Sequence, residues 1–309
     1  MSGPGTRTLD RCLACGNANL AHLALRYDWE GTRFPAARCA RCGMRFLRVQ
    51  PVGASLARMY SAEYFIRDFR CGRSDATSFD EAAARAENAG LLDRFERYRG
   101  AGRLLEVGCA AGWLLRHAAD RGWQVRGVEF SADAVRHARG LGLEIHEGTL
   151  ADALLPEGAF DLVYLGDVLE HVPDCRADAE RIARLLAPGG HLFLRGPITT
   201  NSLARSLALG AFGALGRELV LREPPYHLWE FTPRSLAALV RAVGLEVVAM
   251  EQAKIAPGSG APGRAGSGGK RGPARALMAA IDAVNVPITR AFNAFGDRVV
   301  MVARRPKSA

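Results

Sequence analysis

The chain has 309 residues, 49% hydrophobic and 24% charged, with a formal charge of +9. Those fractions exclude fibrous and wholly disordered classes and leave room for one large domain with a smaller module. The charge is uneven: residues 254–309 hold ten Lys/Arg against two acids, so residues 1–253 are close to neutral, which argues against a broad nucleic-acid-binding face.

The first feature in chain order is a pair of matched knuckles, Cys12-Leu13-Ala14-Cys15-Gly16 and Cys39-Ala40-Arg41-Cys42-Gly43, with 23 residues between the pairs. Four thiolates in this spacing suit a tetrahedral, closed Zn²⁺ site, structural rather than catalytic. A redox role is the weaker reading, because no βαβ pattern surrounds either pair. Residues 1–50 are therefore expected to form a zinc ribbon. The chain opens on a polar segment without the apolar core of a signal peptide, and its longest apolar stretch, 206–216, falls short of the about 20 residues a span requires. The expected compartment is the cytoplasm, where the seven Cys are thiols or metal ligands.

Residues 51–100 read as a helical connector: a short helix over 54–66, a polar stretch over 67–78, and a second helix over 79–99 closed by Gly100. From residue 101 strands and helices alternate. Strands are predicted over 103–107, 124–130, 143–147, 160–165, 191–195, 245–250 and 297–304. Helices are predicted over 113–121, from the cap Ser131 to 139, over 174–186 before Pro188-Gly189-Gly190, and over 234–243 behind Thr232 and Pro233. The fold class is α/β, a doubly wound and largely parallel Rossmann-like sheet. Residues 198–232 stand out as an insertion, 256–273 as a Gly/Ser/Pro-rich flexible loop, and 275–286 as a helix broken at Pro287.

The chemistry concentrates where the first strand runs into Glu106-Val107-Gly108-Cys109-Ala110-Ala111-Gly112. A small-residue turn opening a helix lets the backbone approach a ligand closely. The second strand ends at Glu129, where an acid can accept hydrogen bonds from ribose hydroxyls. With Val128-Glu129, Phe160-Asp161-Leu162-Val163, Leu169-Glu170-His171-Val172 and Leu186-Ala187-Pro188-Gly189-Gly190 in the same order, residues 95–251 resemble class I S-adenosylmethionine-dependent methyltransferases. The resemblance implies seven strands with the last antiparallel, so 251–296 is a long excursion where a tight hairpin is common. It implies that Glu106, Gly108, Cys109, Ala110 and Gly112 cradle the methionine part of the cofactor, and that Glu129 holds the ribose. Phe130 would pack on the adenine, Thr149 and Leu150 would meet its edge with Asp152 standing in for an absent acid, and Asp167 would sit near the methyl group. Ala110 departs from the glycine frequent in that loop, with no loss of binding expected.

Methyl transfer needs a positioned nucleophile, and a base only for a hydroxyl or C–H acceptor. Two histidines are candidates: His171, in the widespread Glu-His-Val pattern, and His227, flanked by Tyr226, Trp229 and Phe231 in the insertion that should cover the acceptor. The zinc module, the Tyr-rich connector and this core together resemble bacterial enzymes acting on sugars or natural products, in part zinc-bearing sugar C-methyltransferases, although those carry a further domain. The expected acceptor is a small molecule or a carrier- or glycan-linked one, methylated on oxygen or carbon. Two alternatives stand beside it: an RNA methyltransferase whose zinc module grips nucleic acid, and a non-catalytic zinc-binding adaptor. The stretch 206–216 and the basic tail helix could touch a membrane surface without spanning it. The sequence does not indicate an oligomeric state.

Overall fold

The computed structural model describes residues 5–59, 81–254 and 273–307. Tyr60, Tyr64, Cys71 and most of the expected flexible loop lie outside the described residues. None of the described helices is long and apolar enough to cross a membrane.

The N-terminal part holds β1 (Thr6–Thr8), β2 (Leu20–Trp29), β3 (Thr32–Cys39), β4 (Arg45–Leu47), β5 (Val49–Pro51) and a short helix α1 (Ala54–Met59). Then come α2 (Glu81–Tyr98), β6 (Arg103–Val107), α3 (Trp113–Asp120), β7 (Gln124–Glu129), α4 (Ala132–Gly140), β8 (Ile145–Glu147), β9 (Phe160–Gly166), α5 (Cys175–Leu185) and β10 (Leu186–Pro197). The insertion carries α6 (Leu203–Ala214), β11 (Leu219–Leu221) and β12 (Trp229–Glu230), and the chain closes with α7 (Pro233–Ala242), β13 (Glu246–Ala253), α8 (Pro273–Phe292) and β14 (Arg298–Arg304).

Seven strands form one sheet in the order β13-β14-β10-β9-β6-β7-β8. Strands β6 to β10 run parallel, while β14 is antiparallel to both neighbours, as the sequence implied. The strand order reverses between β6 and β9, and in open α/β sheets ligands bind beyond the strand ends at such a point. Alternation along the central strands feeds two cores. Leu104, Leu162 and Tyr164 join Leu92 and Phe95 of α2 and Leu114 and Leu115 of α3. Leu105, Val163 and Leu165 join Ile182 of α5, Leu239 of α7 and the N-terminal Phe34, Met44 and Phe46. The second core is therefore continuous with the ribbon.

The caps follow the sequence. Ser131 Oγ accepts from the Ala134 amide, and Asp174 Oδ1 from those of Arg176 and Ala177. Thr232 and Ser235 form a reciprocal capping box on α7. Two expectations are corrected. The fifth strand starts at Leu186, not at 191: pairing to β9 breaks between Leu186 and His191, so Pro188-Gly189-Gly190 loops out within the strand rather than ahead of it. Helix α8 also continues through Pro287 to Phe292. Pro287 faces solvent, while Asn285 and Thr289 on the opposite side are buried. Asn285 Nδ2 donates to the Phe295 carbonyl, anchoring the helix beyond the proline, so packing overrides the lost backbone bond.

Candidate functional site

The turn after β6 is shaped by positions that tolerate no ordinary side chain. Gly108 has φ 73° and Gly112 φ 81°. A Cβ at Gly108 would lie 2.4 Å from Val168 Cγ2, and one at Gly112 2.7 Å from Leu143 Cδ1. Ala110 sits at φ 46°, a left-handed conformation in which glycine would be unstrained. The Gly108 and Cys109 amides donate to the Val128 carbonyl at 2.7 and 3.3 Å, tying the turn to β7.

Glu129 at the tip of β7 gathers three amides at 2.9 Å: Ala110 to Oε2, and Phe130 and Ser131 to Oε1. Burial pushes its pKa up and those amides oppose the shift. Glu106 is also buried, and its Oε2 has no hydrogen-bond partner among the described residues. Burial and the nearby Glu129 push its pKa up to about 8. Cys109 is buried against Gly127, and burial raises its thiol far above the ordinary range.

Beyond β9 a second cluster gathers. His171 Nδ1 lies 2.9 Å from the Tyr226 carbonyl, which can only accept, so Nδ1 carries the proton. Burial, with repulsion from His227, lowers His171 to about 3. Its ring meets that of His227 edge to face, with centroids 4.9 Å apart. His227 Nδ1 faces Glu230 Oε1 at 3.5 Å, and Thr199 Oγ1 donates to Glu230 Oε2 at 3.0 Å. Burial alone would raise Glu230, yet the hydrogen bond and charge of His227 leave it below the usual carboxylate range. Beneath the pair, Glu170 is fully enclosed and pushed up to about 8 by burial and by Asp167. Burial thus favours its neutral form, and its Oε1 lies 3.8 Å from His171 Nε2. Ligand atoms of Glu170, His171 and His227 lie within 4.8 Å of one another.

At the N-terminus the Sγ atoms of Cys12, Cys15, Cys39 and Cys42 also converge within 4.8 Å, with Cys12–Cys42 at 3.5 Å and Cys15–Cys39 at 3.6 Å. A Zn–S bond of about 2.3 Å places tetrahedral sulfurs about 3.8 Å apart, so the cluster matches the donor set of a closed zinc site. Gly16 and Gly43, at φ 73° and 74°, fold each knuckle back so that their amides bond the Cys12 and Cys39 carbonyls.

A family described as "Methyltransferase domain" matches residues 79–250. The chain belongs to the methyltransferase-domain family. It is 30% identical over 159 residues to a ubiquinone biosynthesis O-methyltransferase of Cupriavidus pinatubonensis, covering 48% of this chain and 61% of that one. It is 34% identical over 198 residues to the protein of that name in Caulobacter vibrioides, covering 60% and 69%. The chain thus spans about three fifths of the length of several curated relatives. Among solved structures, a SAM-dependent methyltransferase from Methanosarcina mazei is similar with a TM-score of 0.49 at 16% identity, covering 69% of this chain and 97% of that one. A geranyl diphosphate C-methyltransferase from Streptomyces coelicolor is similar at 0.46 and 15%, covering 71% and 77%.

Within the methyltransferase domain, Glu106, Gly108, Cys109, Ala110, Gly112 and Glu129 come together at the switch point. The residues present fit an aminoacyl nucleoside: Glu106 Oε2 is a buried acceptor without a donor among the described residues, and the glycines leave room that a Cβ would fill. Phe130, 48% exposed, stands beside Glu129. Leu150 is buried in the core. Thr149 donates through N and Oγ1 to Asp152 Oδ2 at 3.1 and 2.5 Å, so that oxygen of the stand-in acid is already engaged. Asp167, at φ 57°, accepts from Arg298 Nη2 at 2.7 Å. His171 and His227 do meet.

Sequence reasoning missed Glu170, Glu230, Thr199 and Arg298 as site residues. Glu230 lies three residues after His227, a spacing that could have suggested the pair. Arg298 and Thr199 reach the site only through the sheet order and left no local signal.

Proposed function

We propose that the chain transfers the methyl group of S-adenosylmethionine to an oxygen or carbon atom of a small-molecule acceptor. The observation that carries this reading is the His227–Glu230 pair meeting His171 in the stretch after β9, whose Val168 lies against Gly108 of the cradle turn. The cofactor supplies an electrophilic methyl on a sulfonium, a good leaving group, so the protein's task is positioning and exclusion of water. In this reading Glu106 receives the cofactor's ammonium, Glu129 its ribose hydroxyls, and Phe130 lies along the adenine. Glu230 holds the proton of His227 on Nδ1 and leaves Nε2 to take the acceptor's proton as the new bond forms. His171, kept neutral by burial and by His227 and held in one tautomer by the Tyr226 carbonyl, fixes the His227 ring. The names of the curated relatives support oxygen as the methylated atom.

In the same reading Cys12, Cys15, Cys39 and Cys42 hold one structural Zn²⁺. Residues 1–50 form the ribbon, 51–100 the connector and 101–309 the catalytic domain, with 198–232 as the acceptor lid.

The test is label transfer from methyl-labelled S-adenosylmethionine into an extract, with the product split by size, protease and nuclease. Label in small or glycan-bound material supports the proposal, and nuclease-sensitive label replaces it with RNA methylation. With an acceptor in hand, His227→Ala should lower kcat about 10²- to 10⁴-fold with little change in S-adenosylmethionine affinity. Turnover at the wild-type rate would remove His227 from the reaction.

A further inference from the structure

The zinc ribbon is usually read as a separate gripping module, but here its sheet is not its own. The five-stranded sheet runs β11-β2-β3-β4-β12. The three inner strands come from the ribbon, and both outer strands come from residues 198–232. β11 pairs parallel to β2, Leu219 to Leu25 through Leu221 to Tyr27. β12 pairs antiparallel to β4, Trp229 to Phe46 and Glu230 to Arg45. The segment carrying His227 is thus strung between the two edges of the ribbon.

Side chains reinforce both attachments. At the β11 edge, Arg26 Nη1 donates to Glu218 Oε2 at 2.5 Å, and His22 Nε2 lies 3.3 Å from Glu218 Oε1. At the β12 edge, the Leu47 amide donates to the Leu228 carbonyl at 3.0 Å. Buried Gln50 donates to the same oxygen at 3.4 Å. Phe46 and Trp229 meet with ring centroids 5.8 Å apart. Arg45 reaches across to the Thr200 carbonyl. The second knuckle ends two residues before β4, and a Cβ at Gly43 would lie 3.9 Å from Thr232 Oγ1, the cap of α7. Whatever fixes Cys39 and Cys42 therefore fixes the end of β3, the start of β4, and through β4 the backbone directly after His227, Leu228 to Glu230.

We propose that the four-cysteine site acts as a clamp on the acceptor lid: Zn²⁺ bound there orders residues 219–231 and so sets His227 and Glu230 in place, while contributing little to the cofactor cradle. The inference rests on the reading of 198–232 as the lid. The cradle is largely spared because Cys109 of its turn and Leu114 and Leu115 of α3 pack into the core on the other face of the sheet, and only Val107 and Val128 at its base reach the core that the ribbon and Trp229 share.

The experiment compares amide hydrogen exchange of the full chain, as purified with zinc, after zinc removal by a chelator, and in Cys39→Ser, alongside calorimetric titration with S-adenosylmethionine. Exchange across 219–231 should accelerate about tenfold or more without zinc, while exchange across 103–129 and the affinity for S-adenosylmethionine stay within about twofold. A chelated protein whose lid keeps its protection overturns the clamp, even if the ribbon itself unfolds. Loss of protection and of cofactor affinity together also overturns it, since the site would then be a general fold staple. Failure of zinc-loaded protein to bind S-adenosylmethionine defeats the proposed function instead, and the lid exchange still decides the clamp.

Discussion

Burial pushes the carboxyls of Glu106 and Glu170 up to about 8. A folded pKa above the ordinary 4.5 means the stability these groups contribute is full below about 4.5 and is lost as pH rises through about 8. The unliganded chain should therefore melt at progressively lower temperature from about pH 5 to pH 9, and Glu106→Gln should flatten part of that slope; an unchanged slope in the variant would show that Glu106 does not titrate there. A cationic ligand group beside Glu106 reverses its shift. Binding of S-adenosylmethionine at pH 7 should then release a proton, seen as a binding enthalpy that depends on the buffer's ionisation heat, and Glu106→Gln should abolish that dependence. Glu129→Ala removes the acceptor for three amides and, in the proposed function, for the ribose, and should weaken S-adenosylmethionine binding by about 1–3 kcal/mol. Unaltered affinity would detach Glu129 from the ribose.

At the scale of elements, what the sequence shows depends on how local the cause is. The turn from β6 into α3, the acid at the tip of β7, the knuckles, the caps at Ser131 and Thr232 and the helix start at Asp174 were legible because each is fixed within a few residues. β11 and β12, of three and two residues, have no periodicity to read, and their pairing is decided by the ribbon. Pro287 misled for the same reason, since Asn285 and Thr289 hold α8 from the far side. Because the helix tolerates Pro287 rather than needing it, Pro287→Ala should restore a backbone donor and stabilise the chain by about 1–3 kcal/mol in denaturant melts; destabilisation would mean that the ring is packed. Gly112→Ala should do the opposite. Its φ of 81° and the Ala138 Cβ 2.8 Å from a built Cβ predict a cost of about 1–3 kcal/mol, together with weaker cofactor binding.

For the molecule as a whole, the seven strands and the antiparallel last one followed from the motif series, and His171 and His227 were named as separate candidates, while the strand order and their meeting came from the structure. The support around His227 was not named: Glu230, three residues after His227, was open to reading, whereas Thr199 joins Glu230 only once the insertion has folded back. The shared ribbon sheet has one more consequence, for solubility. Its two long strands, β2 with ten residues and β3 with eight, lie inside, and the outer strands are only two and three residues long. Short outer strands leave little backbone for a second chain to pair with. If the lid comes away, β2 becomes the rim of the sheet, with Ala24, Leu25 and Tyr27 no longer covered on that side by α6 and β11. Such a species should self-associate as its concentration rises, so light scattering would report lid release before any acceptor is known.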